Sequence, residues 1–309
     1  MSTPKLKTSV PPGFNHPTAL PATAAEERAW QEANRNWWEQ HPMRYDFSET
    51  LQVEEFSREF YEEIDKRFFT DAETMIRSRK IPFDALIDFD SLKDKDVLEI
   101  GCGNGSHAQL LAQHARSYVG IDLTSYSVKS TTQRLRCFGV PGTITQMDAE
   151  ALSFADNSFD LIWSWGVIHH SANTRRIIEQ IHRVLRPGGE ARIMVYHRSF
   201  WNYRMFTGLF AGIGLGHLFR TKSFHETSQL MTDGALARFY TKKEWQALVG
   251  DLFAVDEMQI LGSKTGLVPL PAGRLKASLM SVIPNRASQV LNTQMKLGNF
   301  LFSVLRKQS

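Results

Sequence analysis

Between residues 96 and 196, short apolar runs alternate with segments whose apolar residues recur at helical spacing. The runs 96–100, 117–121, 143–146, 159–164 and 190–196 read as strands. The segments 105–115, 125–137 and 174–185 read as helices. Strand and helix alternating through short turns predict a parallel sheet with right-handed crossovers. Pro187-Gly188-Gly189 marks a sharp turn into the fifth strand. Thr241-Lys242-Lys243-Glu244 is a capping box, opening a helix that ends near Gly250. Residues 253–261 and 299–305 read as a sixth and a seventh strand.

The ends and insertions follow other patterns. Pro11, Pro12, Gly13, Pro17 and Pro21 predict a disordered stretch over 1–22. Thr23-Ala24-Ala25-Glu26 is a second capping box, for a helix over 24–39 that carries Trp30, Trp37 and Trp38. Phe56, Phe60, Ile64 and Phe68 recur every four residues and give one apolar helix face. The expected organisation is a helical cap over 23–92, a core over 93–261 with a lid over 198–240, and a basic helical insertion with the final strand over 262–309. The lid is rich in large apolar residues, among them Phe206, Leu209, Phe210, Leu215, Leu218 and Phe219.

Composition narrows the class. A chain of 309 residues that is 42 % hydrophobic can bury a full core. Cys102 and Cys137, its two cysteines, exclude a disulfide framework and a four-cysteine zinc site. The chain start shows no secretory signal, and the apolar stretch from Met205 to Phe219 is too short to span a bilayer, so a cytoplasmic location is expected. Net charge is +3 but uneven. From Gly262 to Ser309 there are Lys264, Arg274, Lys276, Arg286, Lys296, Arg306 and Lys307, with no Asp or Glu. That contrast suits an acidic acceptor or peripheral contact with a membrane, or else solvated helix faces.

Candidate chemistry gathers where the first strand ends. Val97-Leu98-Glu99-Ile100-Gly101-Cys102-Gly103-Asn104-Gly105 is an apolar run entering a loop with Gly at every second position. Such a loop lets backbone approach a ligand closely. Tyr118-Val119-Gly120-Ile121-Asp122-Leu123 is a second strand tipped by a carboxylate that can take both hydroxyls of a ribose. A dinucleotide loop would carry Gly where Ser106 stands, and Glu99 is placed to catch a cationic ligand. The pattern therefore favours S-adenosylmethionine over NAD.

Three further motifs follow in order: Met147-Asp148-Ala149-Glu150, the run from Phe159 through Ser164-Trp165-Gly166 to His169-His170, and Val184-Leu185-Arg186-Pro187-Gly188-Gly189. With these the chain resembles the class I S-adenosylmethionine-dependent methyltransferases over about 95–197, and more weakly to 261. The resemblance implies an α/β, Rossmann-like doubly wound sheet of seven strands, the last antiparallel, with helices on both faces. It also implies that Asp148 hydrogen-bonds the adenine amino group, that Ala149 flanks the ring, and that Trp165 borders the methyl-transfer site. The expected cofactor set is Glu99, Gly101, Cys102, Gly103, Asp122, Leu123, Asp148, Ala149 and Trp165.

Methyl transfer from a sulfonium is a direct displacement, and a hydroxyl or ammonium acceptor must lose a proton. Histidine suits that base role near neutrality. His169, His170 and His197 fall after the fourth and fifth strands. Similarity to enzymes that methylate sugars or small natural products favours His170, then His169. Trp38, Tyr45 and His197 are expected in the acceptor pocket.

Several sub-classes are disfavoured. Ser164-Trp165-Gly166 is not the Pro-Pro-aromatic clamp of nucleic-acid amino-methylating enzymes, so no nucleic acid is expected. No cysteine nucleophile follows a proline in the pocket segment, and no cluster of acidic metal ligands is evident, so no metal is expected. The expected activity is methyl transfer to oxygen or nitrogen of a sugar-like or specialised small molecule. The alternatives are C-methylation of a prenylated quinone-type lipid and a cofactor-binding scaffold without turnover. The oligomeric state stays open.

Overall fold

The computed structural model describes residues 7, 10–45, 51–214, 216–268, 270 and 273–308. Parts of the 1–22 stretch, Leu215 of the lid and Ser309 lie outside them. After two long helices, α1 (Ala24–Gln40) and α2 (Arg58–Met75), strand and helix alternate: β1 (Asp96–Ile100), α3 (Ser106–His114), β2 (Ser117–Asp122), α4 (Ser125–Phe138), β3 (Thr143–Gln146), β4 (Phe159–Trp165), α5 (Thr174–Val184) and β5 (Leu185–Tyr196). A wide helical segment over Phe200–Gly214 then leads through α6 (His217–Thr221) and α7 (Phe224–Leu230) to α8 (Lys242–Val249) and β6 (Phe253–Leu261). The chain closes with α9 (Lys264–Leu267), α10 (Arg274–Val282), α11 (Asn285–Thr293) and β7 (Phe300–Lys307).

The sheet has seven strands in the order β3-β2-β1-β4-β5-β7-β6. β1 to β5 pair in parallel, and β7 runs antiparallel to both β5 and β6. This is the seven-stranded, doubly wound sheet expected from the sequence. Its central strands are buried on both faces, which is why they read as continuous apolar runs. Leu98, Ile100 and Ile162 pack on one side with Ile178, while Val97, Leu161 and Trp163 pack on the other with Leu111. Fully burying one such side chain contributes about 1.5–3 kcal/mol.

Some boundaries differ from the sequence reading. β5 begins at Leu185, and Pro187-Gly188-Gly189 forms an irregularity inside the strand. Leu185 pairs with Phe159, but pairing resumes only at Glu190 opposite Leu161. Phe56 sits before α2 with φ +67°, so the buried stripe of that helix is Phe60, Ile64 and Phe68. The Thr241 capping box forms completely. At α1, Thr23 accepts from the Glu26 amide, but the Glu26 carboxylate turns to the Ala22 amide at 2.7 Å.

The segment read as disordered is packed from Val10 onward. Phe14 is buried edge-on against Trp30, with ring centroids 5.4 Å apart, and the Trp30 indole donates to the Pro12 carbonyl at 2.8 Å. Aromatic burial outweighs the loop-forming tendency of the prolines here. Among the described residues, no helix is long and apolar enough to cross a membrane.

Candidate active site

The strand order reverses between β1 and β4, so their C-terminal ends diverge into a crevice. A cavity of about 800 Å³ lies there. Its floor is the glycine loop after β1. Gly101 has φ +79°, and a Cβ there would stand 2.3 Å from a methyl of Val167. Gly103 has φ +54°, yet a Cβ there would meet no protein atom within 4 Å. That open cradle, facing the cavity, leaves room for a ligand to lie directly on backbone.

The loop is held from below. Arg134 of α4, fully buried, pairs with Asp65 of α2 and donates to the Asn104 carbonyl at 3.3 Å. Ser106, in the position of a dinucleotide loop's third glycine, spends its hydroxyl on Asp65 at 2.6 Å. The Asn104 side chain donates to the Met43 carbonyl at 2.6 Å.

Three carboxylates face the cavity from adjacent strand ends. Glu99 is 2 % exposed and accepts from the Tyr118 hydroxyl at 2.5 Å. Burial, reinforced by the nearby Asp122 charge, pushes its acid up to about 8. A buried carboxyl in this state gains most from a cationic partner. Asp122 accepts from the Gly103 amide at 3.1 Å and from the Thr124 amide and hydroxyl at 3.0 and 2.8 Å. Burial raises its acid as well, against those hydrogen bonds. Asp148 accepts from the Gln31 amide through both oxygens, each at 2.9 Å. Cys102, Leu123, Ala149 and Trp165 also line the cavity. All nine residues expected to form the cofactor set are thus gathered on one wall.

α1 forms a roof. Gln31, Asn34 and Trp38 line the cavity from above. Glu27 pairs with Arg176 at 2.6 Å, and Glu39 accepts from the Ser125 and Tyr126 amides that open α4, at 2.9 and 3.1 Å. An acidic side chain at a helix N-terminus satisfies donors the helix leaves free.

The histidines separate. His170 lines the cavity and is 3 % exposed. Its Nδ1 lies 2.8 Å from the Leu236 carbonyl, which can only accept. Nδ1 therefore carries the proton, and Nε2, without a partner, holds a free lone pair. Burial lowers its basicity below the usual imidazole value, against the pull of Asp233.

His169 is fully buried, does not line the cavity and packs tilted against Tyr196 with centroids 3.9 Å apart. Both of its ring nitrogens are buried without a hydrogen-bond partner. His197 is also outside the cavity, with Nδ1 held by the Gly298 carbonyl at 2.9 Å. The alternation of β5 gives the reason: Met194 and Tyr196 share the cavity face, so His197 points the other way.

Trp38 and Tyr45 line the cavity, Trp38 edge-on to His170 at 5.0 Å. The structure adds residues the sequence reading missed. Asp233 accepts from the Tyr196 hydroxyl at 2.8 Å. Asp71 of α2 lies beside Ser263 and Thr265, its acid pushed up to about 6 by burial. His107 is ringed by Phe68, Phe83, Trp163 and Trp165, with Nε2 unpartnered, and burial brings it down to about 3. Period-two reading back from Trp165 and Met194 would have found Tyr196. Nothing local marks Asp71 or Asp233.

Comparison with known proteins agrees with this geometry. The methyltransferase-domain family matches residues 98–193. A phthiotriol/phenolphthiotriol dimycocerosates methyltransferase of Mycobacterium tuberculosis is 39 % identical over 100 residues, covering 32 % of this chain and 36 % of the relative. Phosphoethanolamine N-methyltransferase 2 of Caenorhabditis elegans is 34 % identical over 108 residues, covering 34 % of this chain and 24 % of that one. The chain thus spans between 24 and 36 % of the length of these curated relatives. Among solved structures, an S-adenosylmethionine-dependent methyltransferase of Methanosarcina mazei is similar at 19 % identity with a TM-score of 0.48, covering 70 % of this chain and 93 % of that one. Residues 98–193 thus carry a methyltransferase domain, set on the seven-stranded sheet described above.

Proposed function

We propose that this chain transfers a methyl group from S-adenosylmethionine to a hydroxyl of a small acceptor with an apolar body, with His170 as general base. The observation that carries the proposal is His170 Nε2, a buried lone pair with no protein partner, on a residue that lines the cavity. The bound cofactor supplies the activated methyl group. Gly103 gives its backbone a seat, Glu99 meets its ammonium, and Asp122 takes the ribose hydroxyls. Asp148 and Ala149 flank the adenine. His170 then removes the acceptor proton, and its Nδ1–H bond to Leu236 keeps the ring aimed. The roof of α1 keeps water from the reacting atoms.

The acceptor side joins aromatic walls, Trp38, Tyr45, Phe206 and Phe300, to the polar groups of Asp71, Asp233 and Asn299. Such a chamber suits a hydroxylated apolar molecule. The mycobacterial relative's acceptor, named as a triol ester, is of that kind, and the nematode relative's phosphoethanolamine is not.

The test is label transfer from methyl-labelled S-adenosylmethionine to panels of hydroxylated and amine acceptors. Transfer to a hydroxyl acceptor should fall about 100-fold or more in His170→Ala with S-adenosylhomocysteine affinity unchanged. Undiminished transfer in that variant removes His170 as the base. Label found on amines alone removes the hydroxyl reading.

A further inference from the structure

The segment from Gly262 to Gly298 carries a face that methyl transfer does not use. None of the residues of α10 is buried. Leu275, Leu279 and Val282 stand 66 %, 41 % and 75 % exposed at i, i+4 and i+7, so they form one row along the helix. The adjacent row, Lys276, Met280 and Ile283, about 100° round the helix, is half-buried. Val290 and Met295 extend the exposed apolar surface beyond α10. Single exposed leucines are ordinary, but a continuous helical row marks a contact surface.

The charges carried by this segment itself are of one sign. Lys264, Arg274, Arg286 and Lys296 have no carboxylate partner among the described residues. Several surface arginines of the core are paired, as Arg116 with Asp96, Arg175 with Asp251 and Arg183 with Asp156. No Asp or Glu occurs from Gly262 to the end of the chain. Two copies meeting through this face would bring cation to cation, which disfavours self-association. A nucleic acid would satisfy the cations and leave the apolar row wet. An anionic bilayer meets both, because acyl chains take the leucines while headgroups take the lysines and arginines. Lys276 and Leu270 also line the cavity, so the face borders the acceptor chamber.

We propose that α10 and its flanking cations dock this protein on an anionic lipid bilayer, with the acceptor side of the cavity next to the membrane. The docking needs no turnover, so it stands or falls apart from the acceptor reading. The test is sedimentation of the full chain with phosphatidylcholine vesicles, with and without a third of phosphatidylglycerol. Wild type should bind the anionic vesicles at least about tenfold more tightly, with the preference weakened by salt.

Leu275→Ser/Leu279→Ser/Val282→Ser should lose about tenfold of that binding, and Arg274→Glu/Arg286→Glu should abolish the preference for phosphatidylglycerol. Both should keep wild-type S-adenosylhomocysteine affinity and melting temperature, because none of the five side chains is buried. No preference for anionic vesicles in wild type overturns the proposal. Binding retained by both variants overturns it too. So does an RNA competitor that displaces the vesicles and still binds the serine variant.

Discussion

Glu99, Asp122 and Asp148 come from consecutive strand ends in one stretch of chain. Trp38, Asp71, His170 and Asp233 reach the other side of the same cavity from α1, α2, the turn after β4 and the loop after α7. The first wall is local. Glu99 lies near the end of β1, Asp122 closes β2 and Asp148 follows β3, so the geometry of this wall follows from the parallel sheet. The second wall is assembled. His170 is aimed by a carbonyl of Leu236, and Asp233 is engaged by Tyr196 from β5. A family can keep the first wall and exchange the second, since only the first is fixed by the sheet itself. The family match ends at residue 193, just short of Tyr196.

The sharpest break between the walls lies in the histidine pair. His170→Ala should lower kcat by about 10²–10⁴ while leaving S-adenosylhomocysteine affinity in calorimetry unchanged. His169→Ala removes a fully buried ring and should instead cost about 2–4 kcal/mol of stability. Because burial lowers the His170 value, its neutral, basic form persists as pH falls. The acid limb of kcat/KM should therefore lie below pH 6.5, the ordinary imidazole value.

A second contrast pairs two aspartates. Asp122→Ala should weaken S-adenosylhomocysteine binding about 100-fold, through loss of charge-assisted hydrogen bonds. Asp233→Asn should leave that affinity within about twofold and lower kcat/KM for the acceptor about tenfold. Equal loss of cofactor affinity in both variants would erase the distinction between the walls.

Glu99 gives a pH signature confined to the cofactor wall. Its acid, near 8 in the unliganded protein, is protonated at pH 7 and must ionise to hold an ammonium. Binding should release a proton, and affinity should strengthen by up to about tenfold per pH unit until about pH 8. The sign for stability is opposite. A carboxyl whose folded value is raised favours the fold below its unfolded value of 4.5, and that contribution is lost as pH rises toward 8. The unliganded protein should melt lower at pH 8 than at pH 5.5, with the ligand narrowing the gap. A heat of binding at pH 7 that does not change between buffers of different ionisation enthalpy would contradict this.

The smallest effect concerns the roof. Glu39→Gln weakens the cap that α1 places on α4 and should cost about 1 kcal/mol, lowering the melting temperature by a few degrees. Its S-adenosylhomocysteine affinity should fall only a few-fold.

The alternation of strand and helix from Asp96 to Tyr196 was legible in the sequence, as were the glycine loop, the strand-tip carboxylates and the capping box at Thr241. Buried parallel strands, positive φ and helix caps all leave short-range marks. Tertiary structure alone decided that Phe14 packs rather than drifts, that His169 and His197 turn away from the cavity, and that Asp71, His107 and Asp233 enter it. Those outcomes depend on contacts between residues far apart in sequence. The Leu236 carbonyl that aims His170 is one example, and the aromatic ring around His107 is another. Spacing along the chain encodes which residues share a strand or a helix face. Which side chain finds a partner across the fold is settled only when the elements pack.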